Sequence, residues 1–386
     1  MVVGAYYPEL AGGSLQCRTL VRALHDRVRF SILTTTGERG LPRLSEVDAV
    51  PVHRVFVDAR STASKAISAL DLLRQAPSLA FHHDIFHFHG FTEKMLLLLA
   101  AAKISGRRTI DKLTSVGWDD PVAIRSRPRG AALAAGVRAV DRLIAISPAM
   151  RDRCLEGGVP ADRIDQIPNG VDTDRFAPVD RPAREALRAR RGLPRDTTLV
   201  TFVGFWSREK GPDLLFEAWR CARLGGGFDT TLLFIGSTAS DHAEVDPAVV
   251  ATVRTRIEAE GLSASVLFVD RTDEVSSYLQ ASDVFAVPSS REGMSNAVLE
   301  AMSTGLPCVV GAIPGVSDAV IASGENGFIV PLADAEALQA VLIRLLSSEA
   351  ERVAIGRQAR ETILGRFAIG AVADRYFTVY SQILNS

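Results

Sequence analysis

The chain is poor in what marks extracellular, metal-binding and membrane-spanning proteins. Its 386 residues hold four cysteines, Cys17, Cys154, Cys221 and Cys308, with no Cys-x-x-Cys pair and no histidine nearby at ligand spacing. That spacing excludes a disulfide framework and a zinc ribbon, and the four read as small buried residues of a reducing compartment. Long hydrophobic runs are also missing. The most apolar one, Met95-Leu-Leu-Leu-Leu-Ala-Ala-Ala102, falls well short of the ~20 residues that cross a bilayer. The amino terminus lacks the basic stretch and apolar core of a secretory signal, so the expected location is the cytoplasm, with at most a peripheral contact on the inner face of the plasma membrane. No repeat of about 20–50 residues appears, which excludes solenoids and propellers. A net charge of −1 argues against a general nucleic-acid binder.

The average conceals a difference between the halves. Residues 1–178 carry 24 Lys plus Arg against 19 Asp plus Glu, a net of +5, while the remainder carries 20 against 26, a net of −6. Ordinary surface variation suffices to produce it. Its functional reading is an amino-terminal half that faces anionic lipid headgroups or a phosphate-bearing acceptor.

Short apolar runs alternate with helical periods along the whole length. In the first half, strands are expected near Met1–Pro8, Val28–Thr34, Pro51–Val57, Asp84–Gly90 and Arg107–Thr114, with helices over Ala63–Arg74 and Lys94–Lys103. Arg138–Ile146 is one more apolar run, and Ser147-Pro148 starts a helix as N-cap and N1. His82 and His83 read as loop residues. Between strand and helix at the start lies Gly12-Gly13, where glycine lets the backbone approach an anion. His87 and His89 point to one face of their strand, and His89, at its carboxyl end, is the candidate binding residue. Ser115-Val-Gly-Trp-Asp-Asp-Pro121 follows the next strand; Asp119 and Asp120 are either acceptor contacts or a solvated turn. Arg125, Arg127 and Arg129 form a basic cluster suited to an acceptor phosphate or a membrane surface. Ile167-Pro-Asn-Gly-Val-Asp172 is a tight turn in which Asn169 is a weaker candidate.

The second half repeats the pattern. Ala177–Arg195, rich in Pro, Arg and Ala, reads as a linker. Thr198–Gly204 is a parallel-strand signal, followed by Phe205-Trp-Ser-Arg-Glu-Lys-Gly-Pro212 and a helix. Further strands are expected at Thr231–Gly236, Val266–Asp270, Ser282–Pro288 and Pro307–Val310, and the loop Ser237–Glu244 precedes a helix near Pro247–Glu260. Gly311–Asp318 reads as a turn opening a helix, and Asn326–Val330 as a turn into a last strand. Amphipathic helices close the chain.

The most informative stretch is Pro288-Ser-Ser-Arg-Glu-Gly-Met-Ser-Asn-Ala-Val-Leu-Glu-Ala-Met302. It joins a buried strand to a helix in a βαβ unit, whose ligands bind beyond the carboxyl ends of the strands. Glu292 lies in the turn and Glu300 about two helical turns on, so two acids address one elongated polar ligand. The backbone from Gly293 through Met294, Ser295 and Asn296 faces its anionic part.

This stretch resembles the E-x7-E signature of retaining glycosyltransferases of family 4, which have the GT-B fold, and the resemblance extends over nearly the whole chain. It implies an α/β architecture of two facing Rossmann-like, doubly wound parallel-sheet domains with the site in the cleft between them. The expected boundaries are 1–177, a linker 178–195, 196–366, and a terminal helix 367–386 returning to the first domain. The resemblance gives Glu292 to the donor sugar and Glu300 to the nucleotide ribose. It gives Gly12-Gly13 to the donor diphosphate and acceptor, and Gly204 with Lys210 to the diphosphate. Two departures stand out. Phe205 occupies the place of the family's arginine, so Arg208 is the candidate substitute, and Val116 occupies that of its histidine. Arg271, after a strand that frames the base, is a further candidate. The opening strand is shorter than in relatives, which suggests residues upstream.

The implied activity is transfer of a hexosyl residue from a UDP- or GDP-linked sugar to a saccharide or lipid-linked saccharide, with retention of configuration. No cofactor or metal is expected, and the setting implied is cell-surface polysaccharide or glycolipid assembly. Glu292, Lys210 and Arg208 are the expected catalytic group. The alternative is a non-catalytic nucleotide-sugar-binding subunit or scaffold, prompted by Phe205 and Val116; a nucleotide-sugar epimerase fits the motifs less well.

Overall fold

The computed structural model describes residues 1–9, 11–239 and 244–385. The chain divides into two compact units, Met1–Gly170 with Ile369–Ser386, and Val171–Ala368. The division falls at Gly170–Val171 rather than at 177–178.

In the first unit the order is β1 (Val2–Val3), α1 (Gly12–Leu24), β2 (Ile32–Thr36), β3 (Leu44–Val47), β4 (Val50–Phe56), α2 (Thr62–His82), β5 (Ile85–His89) and α3 (Glu93–Ile104). It continues with β6 (Arg108–Lys112), α4 (Gly130–Ala139), β7 (Arg142–Ala145), α5 (Pro148–Glu156) and β8 (Ile164–Gln166). The sheet runs β3-β4-β2-β1-β5-β6-β7-β8, parallel except for the β3–β4 hairpin at its edge. That hairpin is absent from the sequence reading, because no glycine marks its turn. Asp48 and Ala49 adopt φ of 51° and 60° instead, the positive values that a two-residue hairpin turn requires.

Three other expectations change. The helix expected over 63–74 runs on through Pro77 to His82, capped by Ser61, whose hydroxyl accepts from the Ser64 amide. The run 138–146 is the end of α4 followed by β7, the alanine-rich α4 having given no amphipathic period. Residues 312–321 are turns and no helix.

The second unit contains α6 (Arg181–Arg191), β9 (Thr198–Val203), α7 (Pro212–Gly226), β10 (Thr230–Ile235), α8 (Pro247–Ala259), β11 (Val266–Val269), α9 (Val275–Ala281) and β12 (Val284–Val287). After these come α10 (Asn296–Ser303), β13 (Cys308–Gly311), β14 (Phe328–Val330), α11 (Ala335–Ser347) and α12 (Glu349–Arg366). The terminal α13 (Ile369–Leu384) belongs to the first unit. The sheet order β11-β10-β9-β12-β13-β14 is the doubly wound 3-2-1-4-5-6 arrangement, and every pairing is parallel. Its inner strands β9, β10, β12 and β13 are largely buried on both faces, which explains their mostly apolar runs. Of the loop 237–244, residues 240–243 lie outside the described residues.

The expected linker is no tether. Arg188 on α6 is buried and donates to the Ala281 carbonyl at 2.9 Å and to Asp283 Oδ2 at 2.6 Å, so the helix is part of the second unit. Among the described residues no helix is long and apolar enough to cross a membrane.

On the face of the first sheet covered by α4 and α5, Asp111 is fully buried and neither carboxylate oxygen has a hydrogen-bond partner. Burial, with the neighbouring Asp119 charge, holds its carboxyl well above the usual range. The folded state therefore keeps a proton that the unfolded chain releases near pH 4, and stability falls as pH rises through the raised value. Asp111→Asn should be more stable than the wild type at pH 8, by roughly 1–3 kcal/mol, with the advantage vanishing near pH 4. Thermal unfolding of both proteins across that range checks it; equal gains at both ends would refute the assignment.

Candidate active site

The strand order of the second unit reverses between β9 and β12, and the loops that leave these two strands lie side by side. Their backbones are joined where the Ser290 amide donates to the Glu209 carbonyl at 2.8 Å. Gly211, at φ 66°, caps α7, and a Cβ there would sit 3.0 Å from the Pro288 carbonyl oxygen. A Cβ on Gly311 would lie 2.3 Å from the Ser289 carbonyl oxygen, so the loop following β13 closes on the same strand end. Glycine is the residue that permits both approaches.

Lys210 and Glu292 meet in this enclosure. Lys210 Nζ donates to Glu292 Oε1 at 2.6 Å, and their side chains retain 26% and 14% exposure, enough to be reached from solvent. The pair is a charge-assisted hydrogen bond at the end of a parallel sheet, where ligands of such folds bind. Arg291 and Glu209 form a second pair across the two loops, at 3.2 Å. Ser295 caps α10 with its hydroxyl accepting from the Val298 amide, and Asn296 is that helix's first residue. Gly293 and Met294 are buried in the turn. Beneath it a largely apolar pocket is lined by Val287, Val310, Ile313 and Val316, with Glu292, Met294 and Ser295 among the other walls.

Glu300 lies further along α10. Desolvation pushes its carboxyl up to about 7, and the Arg175 guanidinium offsets this only in part. No hydrogen bond or ion pair among the described residues engages that carboxyl. Arg175 itself donates to the Asp273 carbonyl in the loop that follows β11, so one side chain connects the neighbourhoods of Glu300 and of Arg271. Arg271 is exposed, with its amide on Asp270 Oδ1 at 2.7 Å.

Arg360, on α12, is a residue that sequence reasoning missed. Its Nη1 donates to the carbonyls of Thr173 at 2.9 Å, Phe176 at 3.1 Å and Ser303 at 2.7 Å. It thus fastens the segment bearing Arg175 to the end of α10. An arginine in an amphipathic helix carries no sign of such a role.

Arg208 stands apart from the pair. Its side chain is 76% exposed and donates to Asp246 Oδ2 at 2.9 Å, an ion pair at the start of α8. Gly204 follows β9 directly and donates its amide to the Ile235 carbonyl. A Cβ on the neighbouring Gly236 would fall 2.0 Å from the Gly204 carbonyl oxygen, so these glycines allow two strand ends to approach.

The candidates of the first unit separate into two kinds. Gly12 and Gly13 open α1, with Gly13 beside Thr114, and lie at the carboxyl ends of the central strands. Asp119 and Asp120, by contrast, are neither solvated nor turned outward. Asp119 accepts from the Thr114 amide and hydroxyl and from the Ser115 amide, at 2.8, 2.7 and 2.8 Å. Asp120 accepts from the amides of Gly117, Val122 and Ala123, and Arg153 pairs with it at 3.2 Å. Both carboxylates organise their own loop, the usual use of Asp in a turn. Arg125 is likewise engaged, donating to the Gly157 carbonyl at 3.1 Å, and Arg129 holds φ 60° before α4.

His89 is 6% exposed with both ring nitrogens unpartnered, stacked on His87 at 4.7 Å. His87 shares a 2.7 Å hydrogen bond with the Tyr380 hydroxyl of α13. Burial drives both imidazoles well below their ordinary range, which favours the neutral form of each. Among the described residues no cluster of three His, Cys, Asp or Glu is placed to hold a metal ion. Asn169 is buried, and the adjoining Gly170 is gripped by Gln16, whose Nε2 donates to its carbonyl at 2.9 Å while Oε1 accepts from its amide at 3.2 Å.

Comparison with known proteins agrees with this architecture. Residues 183–362 match the model of the group 1 glycosyl transferases, and residues 11–170 match a glycosyl transferase 4-like domain. A D-inositol 3-phosphate glycosyltransferase of Kineococcus radiotolerans is 30% identical, covering 88% of this chain and 81% of its own. An N-acetyl-alpha-D-glucosaminyl L-malate synthase of Bacillus anthracis is 23% identical over 98% of this chain and 96% of its own. Among solved structures, Anabaena HepE in complex with UDP and glucose superposes with a TM-score of 0.78 at 18% identity, covering 98% of each chain. Sucrose-phosphate synthase of Thermosynechococcus elongatus gives 0.79 at 20% identity, covering 100% of this chain and 98% of that one. Two doubly wound units of GT-B type, matched along their length by these relatives, identify the chain as a member of the group 1, family 4-like glycosyltransferases.

Proposed function

We propose that this glycosyltransferase moves a hexosyl residue from a nucleoside diphosphate sugar to a hydroxyl of a saccharide or lipid-linked saccharide, with retention of anomeric configuration. The observation that carries the reading is the Lys210–Glu292 pair at 2.6 Å, at the strand-order reversal of the second unit. Lys210 would stabilise the charge that develops on the departing diphosphate, and Glu292, released from the lysine as the phosphates take its place, would hold the sugar. The amino terminus of α10 adds amide donors on the same side. Glu300 would bind the ribose. Arg208 enters only if it leaves Asp246. UDP is the favoured donor nucleotide, supported by its presence in HepE, and a role in cell-surface polysaccharide or glycolipid assembly is the setting we favour. The reaction needs no cofactor in this reading.

The competing reading is a nucleotide-sugar-binding scaffold without turnover, favoured by Phe205 and Val116 at positions where polar groups are expected. Slow hydrolysis of UDP- or GDP-sugars in the absence of acceptor separates the two. Lys210→Ala should lower that hydrolysis about 10²–10³-fold, as loss of an oxyanion donor does, while leaving the unfolding midpoint nearly unchanged. Turnover near that of the wild type would remove Lys210 from the mechanism.

Glu300 gives a second test. A carboxyl raised to about 7 contributes stability that is complete below pH 4.5 and is lost as pH rises through 7. Glu300→Gln should flatten that part of the pH–stability curve. It should also shrink the thermal shift given by saturating UDP, equivalent to about a tenfold weaker affinity. A UDP shift of undiminished size in the variant would contradict the ribose assignment.

A further inference from the structure

The sequence contains three tryptophans, and they are used in two ways. Trp206 and Trp219 are wholly buried, whereas Trp118 is 50% exposed. Between Ile104 and Leu155 it is the one large apolar side chain that the described surface exposes. It stands in the loop after β6, at the carboxyl end of the first unit's sheet.

That loop is held by hydrogen bonds to its own carboxylates. Asp119 and Asp120, both buried, accept hydrogen bonds from its own donors on either side of the indole. The Trp118 amide donates to the Ser115 carbonyl at 3.2 Å, and the Arg127 guanidinium lies 4.7 Å from the centre of the ring. The loops of the neighbouring strands abut it. A Cβ on Gly90, after β5, would lie 3.2 Å from Asp119 Oδ2, and one on Gly13, at the start of α1, 4.0 Å from Thr114 Cγ2. These are the loops on both sides of this sheet's own order reversal, between β1 and β5.

We propose that Trp118 is the platform of an acceptor subsite on which the pyranose ring of a saccharide stacks. The inference rests on the glycosyl-transfer reading above and gives that reading's saccharide acceptor a place. A pyranose has an apolar face of C–H groups and a rim of hydroxyls, so it suits a rigid indole whose surroundings are polar. Such a side chain supplies large contact area while losing little conformational freedom. Two buried aspartates fix the loop before any ligand arrives, so little ordering remains to be done on binding. A bilayer is the other surface that takes a tryptophan among arginines. It is disfavoured because, among the described residues between Ile104 and Leu155, no second large apolar side chain is exposed to enter the lipid with it.

Acrylamide quenching of tryptophan emission reads Trp118 selectively, since the other two indoles are buried. With methyl α-D-glucopyranoside, N-acetylglucosamine and maltose as probes, at least one should protect the full-length protein from quenching, and Trp118→Phe should abolish the protectable component. In transfer assays with the acceptor that gives activity, Trp118→Ala should raise the acceptor KM about tenfold. Acceptor-independent hydrolysis of the donor and the thermal shift by UDP should stay unchanged, and Trp118→Phe should recover most of the lost acceptor affinity. Protection by phosphatidylglycerol vesicles with none from the saccharides, or by no probe at all, overturns the proposal. So does an unaltered acceptor KM in Trp118→Ala. Loss of the UDP shift in the wild type would instead sink the donor assignment and leave the saccharide result to be judged separately.

Discussion

The second unit is organised by one constraint: β9 and β12, distant in sequence, are neighbours in a parallel sheet. Each strand delivers a loop to the same edge, and the charges on those loops meet as Lys210 and Glu292, 82 positions apart. A cation and an anion are thereby held together at a half-open strand end. The surrounding glycines follow from that constraint. Gly211, Gly236 and Gly311 stand where backbone from another loop approaches too closely for a side chain.

The buried acids are used in different ways, and Asp111 shows that an unpartnered one occurs in the first unit too. In the second, Glu300 keeps a desolvated carboxyl with no partner but a nearby Arg175, and Arg360 holds in place the segment that carries that arginine. An acid left uncompensated at a strand-end site is a common mark of function. In the first unit, the carboxylates of Asp119 and Asp120 are saturated by their own loop. Their contribution is to shape, since they fix the backbone on which Trp118 is displayed. Of the two histidines that stand out by their spacing, His87 is packed against Tyr376 and Tyr380 of α13, and His89 stacks on His87.

Much of this was legible beforehand. Long parallel strands buried on both faces announce themselves as apolar runs, and β9, β10 and β12 fell where their Val, Leu and Phe residues placed them. The Glu292–Glu300 spacing in a strand–turn–helix unit, with its resemblance to the family signature, singles out the two acids as candidates, and the structure adds Lys210 as the partner of the first. Elements without such signals escaped. The β3–β4 hairpin turns on Asp48 and Ala49 rather than glycine, and α4 is too rich in alanine to show an amphipathic period. Arg208 lies two residues before Lys210 in sequence, yet a loop can send nearby cations in different directions, and Arg208 goes to Asp246.

The sequence by itself determined the two α/β units, the family and the stretch that bears the acids, since each depends on patterns within a few turns of chain. Only the tertiary structure decided which charges are partners, which carboxylates are saturated and which tryptophan faces solvent. The Lys210–Glu292 partnership joins groups that strand order brings together across 82 positions, and even where the partners are local, as at Asp119 and Asp120, neither a side chain's desolvation nor its partner is encoded at its own position.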